Sequence, residues 1–264
     1  MLLSEPQESP YDLRFILLGF PVRIAWTFWI AALVLGYNLC YAFSAGNLTV
    51  PALLVMWSAC IFASILIHEL GHALAFRHYG INASIVLYHF GGLAIPTSFS
   101  SLGGSSMRLS PKQDIVISLA GPLLQIASAM VIFLLIRVSG YQFLGLQLFP
   151  QFIVDLPWIS EGEPMQNRAI DALVTFYLYP SIMWAVLNLL PIWPLDGGRI
   201  ARSVFLLNRG TEIHSLWLSV ITAGAVGLYF MRQQGNQMTG LFFLMFAISS
   251  FQMIQSAGGG PRRW

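Results

Sequence analysis

The sequence predicts an all-α polytopic membrane protein with about six transmembrane helices and a small membrane-associated β-hairpin or sheet. Hydrophobic residues make up 56% of the 264 residues and charged residues only 9%, against roughly 25% charged in ordinary soluble domains. The mean hydropathy is +0.70. A soluble protein of this length needs far more polar surface, so we expect the chain to lie in a lipid bilayer. The formal net charge of +2 does not indicate a nucleic-acid partner.

Six stretches are apolar enough to be transmembrane helices, and most approach the roughly 20 residues that cross a hydrocarbon core. Turns that contain polar residues, glycine or proline separate them. We place the spans at about residues 24–43, 52–76, 115–136, 172–190, 216–231 and 238–254. The chain is therefore expected to be a multi-pass protein of the cell membrane.

Two regions outside the spans favour β-structure. Leu13 to Arg23 is too short to span and is either a strand or an interfacial segment. The β-prone runs Ile81 to Phe90 and Leu93 to Phe99 flank Gly91-Gly92 and predict a hairpin. A hairpin next to a membrane helix is tolerated at the interface or where it lines a water-filled cavity. The Ser/Gly-rich segment 100–106 that follows is expected to be a flexible loop.

The basic residues are distributed unequally between the two sides of the predicted membrane. Three of the 13 lie on the side opposite the N-terminus, namely Arg137, Arg168 and Arg232, and ten lie on the N-terminal side. Because cytoplasmic segments carry the excess of lysine and arginine, this distribution places both termini in the cytoplasm.

The second predicted span carries the motif His68-Glu-Leu-Gly-His72. Residues four apart share one face of a helix, so His68 and His72 can bind one metal ion. Glu69 is offset by about 100° and can reach a water on that metal without being a ligand. Unpaired ionisable groups in a membrane span would cost on the order of several kcal/mol. This cost favours a metal site over a chance occurrence of the zinc-hydrolase pattern H-E-x-x-H.

A catalytic zinc ion has three protein ligands and an open position for water. Asp196 meets the requirement for a third ligand, because it follows the fourth span at its cytoplasmic end, the side to which His68 and His72 are displaced. Two prolines break the helix before it and two glycines follow it. A turn aspartate is the alternative interpretation of Asp196. Asn188 either hydrogen-bonds between helices or presents its amide to a substrate.

These motifs resemble those of the site-2 proteases, a family of intramembrane zinc metalloproteases. The resemblance covers most of the chain and rests on Phe-Pro-Val-Arg-Ile at 20–24, His-Glu-Leu-Gly-His at 68–72, Phe-Gly-Gly-Leu at 90–93, Ala-Gly-Pro-Leu at 120–123 and Asn-Leu-Leu-Pro-Ile-Trp-Pro-Leu-Asp-Gly-Gly at 188–198. It implies that His68, His72 and Asp196 bind one zinc ion. It also implies that Glu69 is the catalytic base and that Asn188 helps to hold the substrate.

The resemblance further implies a membrane-protein substrate that is cleaved in or near a transmembrane segment, close to the cytoplasmic face. The chain is most similar to the compact bacterial and archaeal members, because 137–168 is too short for a PDZ domain and the tail too short for a CBS pair. We therefore interpret 1–264 as one integral-membrane metalloprotease domain. An edge strand at Leu93 to Phe99 is expected to hold unwound substrate by β-augmentation, with loop 100–106 as a gate.

Two other functions stay open from the residues alone. A zinc transporter needs further ligands along its pathway, yet the third, fifth and sixth predicted spans contain no acid, base or histidine. An inactive relative that serves as a membrane scaffold has no need of a base, and Glu69 is present. Proteolysis is therefore the function that the sequence favours.

Overall fold

The computed structural model describes residues 7–96, 109–233 and 237–258. Its helices are α1 (Trp26–Phe43), α2 (Val50–His78), α3 (Pro111–Val138), α4 (Gln151–Val154), α5 (Pro157–Ser160), α6 (Arg168–Asn188), α7 (Asp196–Leu207), α8 (Glu212–Arg232) and α9 (Gln237–Gly258), with a 3-10 helix at Leu144–Leu148. Its strands are β1 (Leu13–Leu17), β2 (Phe20–Ile24), β3 (Ala83–Tyr88), β4 (Gly91–Pro96), β5 (Tyr141–Gln142) and β6 (Glu163–Pro164).

Six of the described helices, α1, α2, α3, α6, α8 and α9, are long and apolar enough to cross a membrane. The predicted class, a mainly helical membrane protein with about six spans and a small sheet, is confirmed. The structure lengthens α2 to 29 residues, with Pro51 in the first turn, where its missing N–H leaves no helical hydrogen bond unmade. Helix α3 continues through Pro122, which neighbouring elements make tolerable in a membrane helix.

The predicted hairpin forms one half of a four-stranded sheet with the order β1-β2-β3-β4. Strands β3 and β4 are antiparallel, and Tyr88 pairs with Gly91 at the turn. Strands β1 and β2 form a second antiparallel hairpin, so the region from Leu13 to Arg23 is strand structure. The two hairpins join through the parallel pair β2–β3, in which Val22 lies opposite Ile85. Strand β4 is therefore an edge of the sheet.

A nearly buried ion pair holds β2 in place. The Arg23 guanidinium donates to Asp12 Oδ2 over 3.0 Å, and Arg23 is only 8% exposed. Burial opposes the charge of Asp12, but hydrogen bonds from the Ser9 backbone, Arg23 and the Trp26 backbone keep the pKa of this carboxyl below its usual value. The strand that pairs with β3 is thus fixed immediately before α1 begins.

The segment between α3 and α6 contains the short elements α4, α5, β5, β6 and the 3-10 helix. Its apolar side chains pack on the two long helices to form a cluster of Ala129, Ile136, Phe143, Leu146, Phe149, Ile159 and Leu178. A second cluster joins α1, α2 and α6 through Cys40, Leu53, Trp57, Cys60, Ala172 and Phe176. Burial of apolar area therefore orders this segment without long regular structure.

The described residues divide into two compact units. Unit 1 comprises 7–96 and 120–185, and unit 2 comprises 109–119, 186–233 and 237–258. In unit 2, the Ser219 and Ser250 hydroxyls of α8 and α9 lie 2.9 Å apart. A side chain at Gly227 would meet Leu244 at 2.8 Å. Small residues thus let α8 and α9 pack closely, as is common between membrane helices.

Candidate metal centre

Three buried residues of α2 come together in unit 1. His68, Glu69 and His72 are 2%, 4% and 5% exposed, and one ligand atom from each lies within 4.8 Å of the others. The i, i+4 spacing brings both imidazoles to one face of the helix, as the sequence predicts. Among the described residues this is the group of histidines and acids that can hold a metal ion.

The imidazole geometry fits a tetrahedral zinc site. His68 Nε2 and His72 Nε2 lie 3.1 Å apart. Two nitrogens bound to one zinc ion at its usual bond length of roughly 2.1 Å would be about 3.4 Å apart at the tetrahedral angle. The two side chains therefore need only small shifts to bind zinc.

A chain of buried hydrogen bonds supports His68 from α3. Its Nδ1 lies 2.8 Å from Gln125 Oε1. Gln125 Nε2 donates to Ser64 Oγ over 2.8 Å, and the Ser181 hydroxyl donates to the same oxygen over 2.8 Å. Because a neutral imidazole carries one N–H, donation from Nδ1 leaves the lone pair on Nε2, the nitrogen that faces His72.

Glycines let the backbone of α3 approach the histidine pair. A side chain at Gly71 would meet Gly121 Cα at 2.8 Å and overlap the carbonyl of Ala120. A side chain at Gly121 would overlap His72 Nε2 itself and meet its Cδ2 at 2.8 Å. The Ala120-Gly121 segment therefore covers His72 directly, which gives a physical reason for this motif.

Strand β4 covers Glu69 in the same way. A Cβ at Gly92 would lie 2.5 Å from Glu69 Oε1 and 2.6 Å from its Cδ. Gly91 has φ +120°, a conformation that favours glycine. A Cβ at this position would also lie only 2.7 Å from the Trp184 ring. The edge strand thus runs beside the carboxylate of the motif, and only glycine leaves room for the observed position of Glu69.

Substitutions of Gly121 and Gly92 are expected to disturb different residues of the site. Gly121→Ala is expected to displace His72 and lower the affinity of the site for zinc at least tenfold, whereas Gly92→Ala should displace Glu69 and leave the affinity for zinc unchanged. Gly224→Ala in α8 is the matched control, because nothing lies within 4 Å of the added methyl group. Zinc content after dialysis against a graded chelator is the measurement. Equal zinc affinity in the Gly121 and Gly224 variants would contradict the packing.

Tyr88 lies within the electrostatic influence of Glu69. It is 3% exposed at the end of β3, which does not fit the interfacial aromatic belt that its residue type suggests. Burial, followed by the charge of Glu69, raises the pKa of Tyr88 to about 12. The phenol therefore stays protonated and uncharged at neutral pH.

The other two predicted site residues belong to unit 2. Asn188 is half-buried and ends α6, and Asp196 is 8% exposed and begins α7. The two glycines after Asp196 allow α7 to start against the preceding turn. A side chain at Gly198 would meet the Ile192 carbonyl oxygen at 2.5 Å, and one at Gly197 would overlap the carbonyls of Leu189 and Leu190. The aspartate is thus held in a tight turn, whether or not it is a ligand.

A polar cluster fixes α7 within unit 2. Arg199 donates to Asp114 Oδ1 over 2.8 Å, and the Ser203 hydroxyl donates to Asp114 Oδ2 over 2.8 Å. Asp114 is 8% exposed and lies in the first turn of α3. Both partners are on α7, so this cluster restrains the helix that begins with Asp196.

Sequence reasoning missed Gln125, Ser64 and Tyr88, whereas Gly121 was already part of the motif at 120–123. A buried glutamine in an otherwise apolar span was the available signal for Gln125, because an amide in hydrocarbon requires a hydrogen-bond partner. Helix α7 was also missed as a helix. Its alternation of charged and apolar residues at helical spacing was the available signal.

The sequence and the fold are similar to those of known metalloproteases. The model of peptidase family M50 matches residues 56–228. A Synechocystis protein that bears the name zinc metalloprotease is 29% identical over 214 residues, which are 76% of this chain and 46% of that protein. A zinc metalloprotease of Methanocaldococcus jannaschii is 27% identical over 200 residues, or 74% of this chain and 45% of the relative.

Among solved structures, the site-2 protease from Methanocaldococcus jannaschii superposes with a TM-score of 0.51. The identity is 23%, and the match covers 91% of this chain and 95% of that one. This likeness concerns the fold. The chain spans about half the length of the curated relatives that it matches.

Proposed function

The chain belongs to peptidase family M50, and from this premise we propose that it is an intramembrane zinc metalloprotease. Its reaction is the hydrolysis of peptide bonds in or near the transmembrane segments of membrane proteins. The observation that carries the proposal is the buried cluster of His68, Glu69 and His72 in a helix long and apolar enough to span a membrane. The names of the relatives support zinc as the metal.

One zinc ion per chain is held by His68, His72 and Asp196. Imidazole nitrogen and carboxylate oxygen are ligands that zinc prefers, and three of them leave an open position. The Nε2 separation of 3.1 Å supports the histidine pair. Support for Asp196 comes from its sequence motif and from its burial at the start of α7. The proposal treats 1–264 as one catalytic domain.

When bound, zinc acts as a Lewis acid and makes water a nucleophile near neutral pH. Glu69 accepts the proton of the attacking water and passes it to the leaving amine. The position of Glu69 under Gly92 supports this role, because the strand backbone restricts where the carboxylate can lie. Asn188, at the end of α6, donates its amide to the substrate backbone.

The substrate must be extended before it can be cleaved. In a helix, each peptide carbonyl is hydrogen-bonded within the turn, which hides it from attack. Strand β4 is an edge of the sheet, and Gly92 on this strand lies against Glu69. An unwound substrate that pairs with β4 would thus lie beside the catalytic carboxylate. The predicted continuation of this strand to Phe99 and the gate at 100–106 lie outside the described residues.

Strand pairing predicts a specific effect of proline in β4. Ala94→Pro is expected to slow cleavage at least tenfold without loss of zinc, because proline lacks the N–H and its ring blocks pairing. Ala94→Val, which favours strand structure, is the matched control. The measurement is the cleavage rate of a transmembrane substrate at fixed zinc occupancy. Unchanged cleavage in the proline variant would exclude this binding mode.

The orientation follows from the charge distribution. Ten of the 13 basic residues lie on the N-terminal side of the predicted spans, so both termini are cytoplasmic and cleavage occurs near that face. A protease-accessible tag at each end, probed in sealed and opened vesicles, tests this arrangement.

The decisive experiment uses the purified full chain in liposomes. The zinc-loaded protein is mixed with single-span membrane proteins, and the products are identified by mass spectrometry. Cleavage within or beside the span, abolished by Glu69→Gln, supports the proposal. Zinc uptake into the vesicles without cleavage would support a transporter instead. In cells of the source, comparison of membrane proteins that accumulate uncut with Glu69→Gln identifies the substrate.

A further inference from the structure

We propose that Gln125 is a positioning residue of the metal centre, which holds His68 in the tautomer that can bind metal. Ser64 and Ser181 hold the Gln125 amide in the orientation that this requires. The inference rests on the proposed function, since it concerns the same histidine pair. Beyond that function, it assigns to residues of α2, α3 and α6 the orientation of His68 in the metal-free protein.

The contacts form one continuous chain inside unit 1. His68 Nδ1 lies 2.8 Å from Gln125 Oε1, Gln125 Nε2 lies 2.8 Å from Ser64 Oγ, and Ser181 Oγ lies 2.8 Å from Ser64 Oγ. Gln125 and Ser181 are fully buried and Ser64 is 1% exposed. Water therefore does not compete for these hydrogen bonds, and each group depends on its protein partner.

The orientation of the amide decides which nitrogen of His68 carries the proton. With Oε1 towards the ring, Nδ1 donates and Nε2 keeps its lone pair, which points to the side of His72. With the amide turned around, its N–H would face Nδ1 and the ring proton would move to Nε2. A protonated Nε2 cannot bind a metal ion. A reversed amide would therefore block one of the two histidine ligands.

Ser64 and Ser181 favour the productive orientation. The Ser181 hydroxyl donates to Ser64 Oγ, and Gln125 Nε2 donates to the same oxygen. Both donors converge on one acceptor, so the Ser64 oxygen attracts the N–H side of the amide and not its carbonyl. Removing the Ser64 hydroxyl would release this constraint without touching His68.

A glutamine suits this position because it accepts a hydrogen bond without carrying charge. A carboxylate would also accept from Nδ1, but it would add a negative charge in the span, where ionised groups are costly. An outer hydrogen-bond partner of a metal-binding histidine typically contributes about 10–100-fold to metal affinity. We expect an effect in this range for Gln125.

The test compares variants of the full chain in detergent micelles. Gln125→Met has a similar shape without the amide, and it should weaken zinc binding about 10–100-fold by chelator competition. Gln125→Glu restores an acceptor for Nδ1 and should recover most of the affinity. Ser64→Ala should weaken zinc binding less than Gln125→Met. Its matched control is Ser215→Ala, which removes a buried serine hydroxyl that donates to the backbone carbonyl of Glu212 in α8 and should leave zinc affinity unchanged.

A spectroscopic measurement on the metal-free protein separates positioning from general stability. Nitrogen-15 shifts of the five histidines, with His68 assigned by its absence in His68→Ala, report which ring nitrogen carries the proton. The expected result is an Nδ1–H tautomer for His68 in the wild type and in Gln125→Glu, and a mixture in Gln125→Met. An unchanged tautomer together with unchanged zinc affinity in Gln125→Met overturns the inference.

The two proposals fail in distinguishable ways. If the wild type binds zinc but cleaves no membrane protein, the proposed function fails, while the affinity series still decides the role of Gln125. If the wild type cleaves substrate and Gln125→Met matches it in tautomer and affinity, only the positioning role fails. If the wild type binds no zinc, there is no metal centre in which Gln125 could position His68, and both proposals fail.

Discussion

Glu69→Gln is expected to lower the rate of substrate cleavage by about 10²–10⁴-fold, the usual contribution of a general base, while zinc content stays unchanged. The physical reason is that glutamine has nearly the same shape but cannot accept a proton from water. The amide also fits under Gly92, where only the absence of a side chain leaves room for the Glu69 carboxyl group, so the local packing should survive. Cleavage of a single-span substrate in liposomes and zinc content by elemental analysis are the two measurements.

The matched control is Glu212→Gln. Glu212 lies in the first turn of α8, where it pairs with Arg202 and is largely exposed. Loss of an exposed pair of this kind costs about 0–1 kcal/mol, so cleavage should be unchanged. A Glu69→Gln protein that cleaves as fast as the wild type would remove Glu69 from the mechanism. Loss of zinc in that variant would instead indicate that Glu69 is a ligand.

Asp196→Asn is expected to reduce zinc affinity by more than the roughly 10–100-fold typical of an outer hydrogen-bond partner, and to abolish cleavage. Asparagine keeps the shape and the hydrogen-bonding capacity that a tight turn requires, but its neutral oxygen is a poor zinc ligand. A ligand role therefore predicts loss of zinc, whereas a turn role predicts normal zinc binding. Chelator competition and the cleavage rate decide between the two interpretations of this aspartate.

Asp155→Asn is the control for this substitution. Asp155 is exposed in the segment between α3 and α6, where it accepts a hydrogen bond from Gln151. Its loss should change neither zinc affinity nor cleavage. Normal zinc binding with normal activity in Asp196→Asn would exclude Asp196 as the third ligand.

The histidine pair illustrates what local sequence can predict. The i, i+4 spacing of His68 and His72 places both side chains on one helix face regardless of the tertiary structure, since helix geometry alone determines it. The six spans are equally predictable, because a bilayer requires about 20 apolar residues in a helix. The hairpin β3–β4 follows from Gly91-Gly92 between two β-prone runs.

The hydrogen-bond chain that supports His68 cannot be predicted from local sequence. Gln125 is 57 positions from His68 in the chain, and Ser181 is 117 positions from Ser64. No local period indicates that these residues meet, because their contact depends on how α2, α3 and α6 pack. The parallel pairing of β2 with β3, which completes the sheet, is non-local for the same reason. Helix α7 depends on local sequence, but it is short, and the two glycines in its first turn are typical of a turn and not of a helix.

The sequence by itself determined the class of the protein, the spans, the candidate metal-binding motif and the family that the motifs resemble, because composition and helical spacing are local properties. Only the tertiary structure decided which backbone and side-chain groups contact the motif. Gly92 of β4 lies on Glu69, Gly121 of α3 lies on His72, and the Gln125 amide lies on His68. These contacts depend on close packing between elements distant in the chain, where a single methyl group changes the outcome.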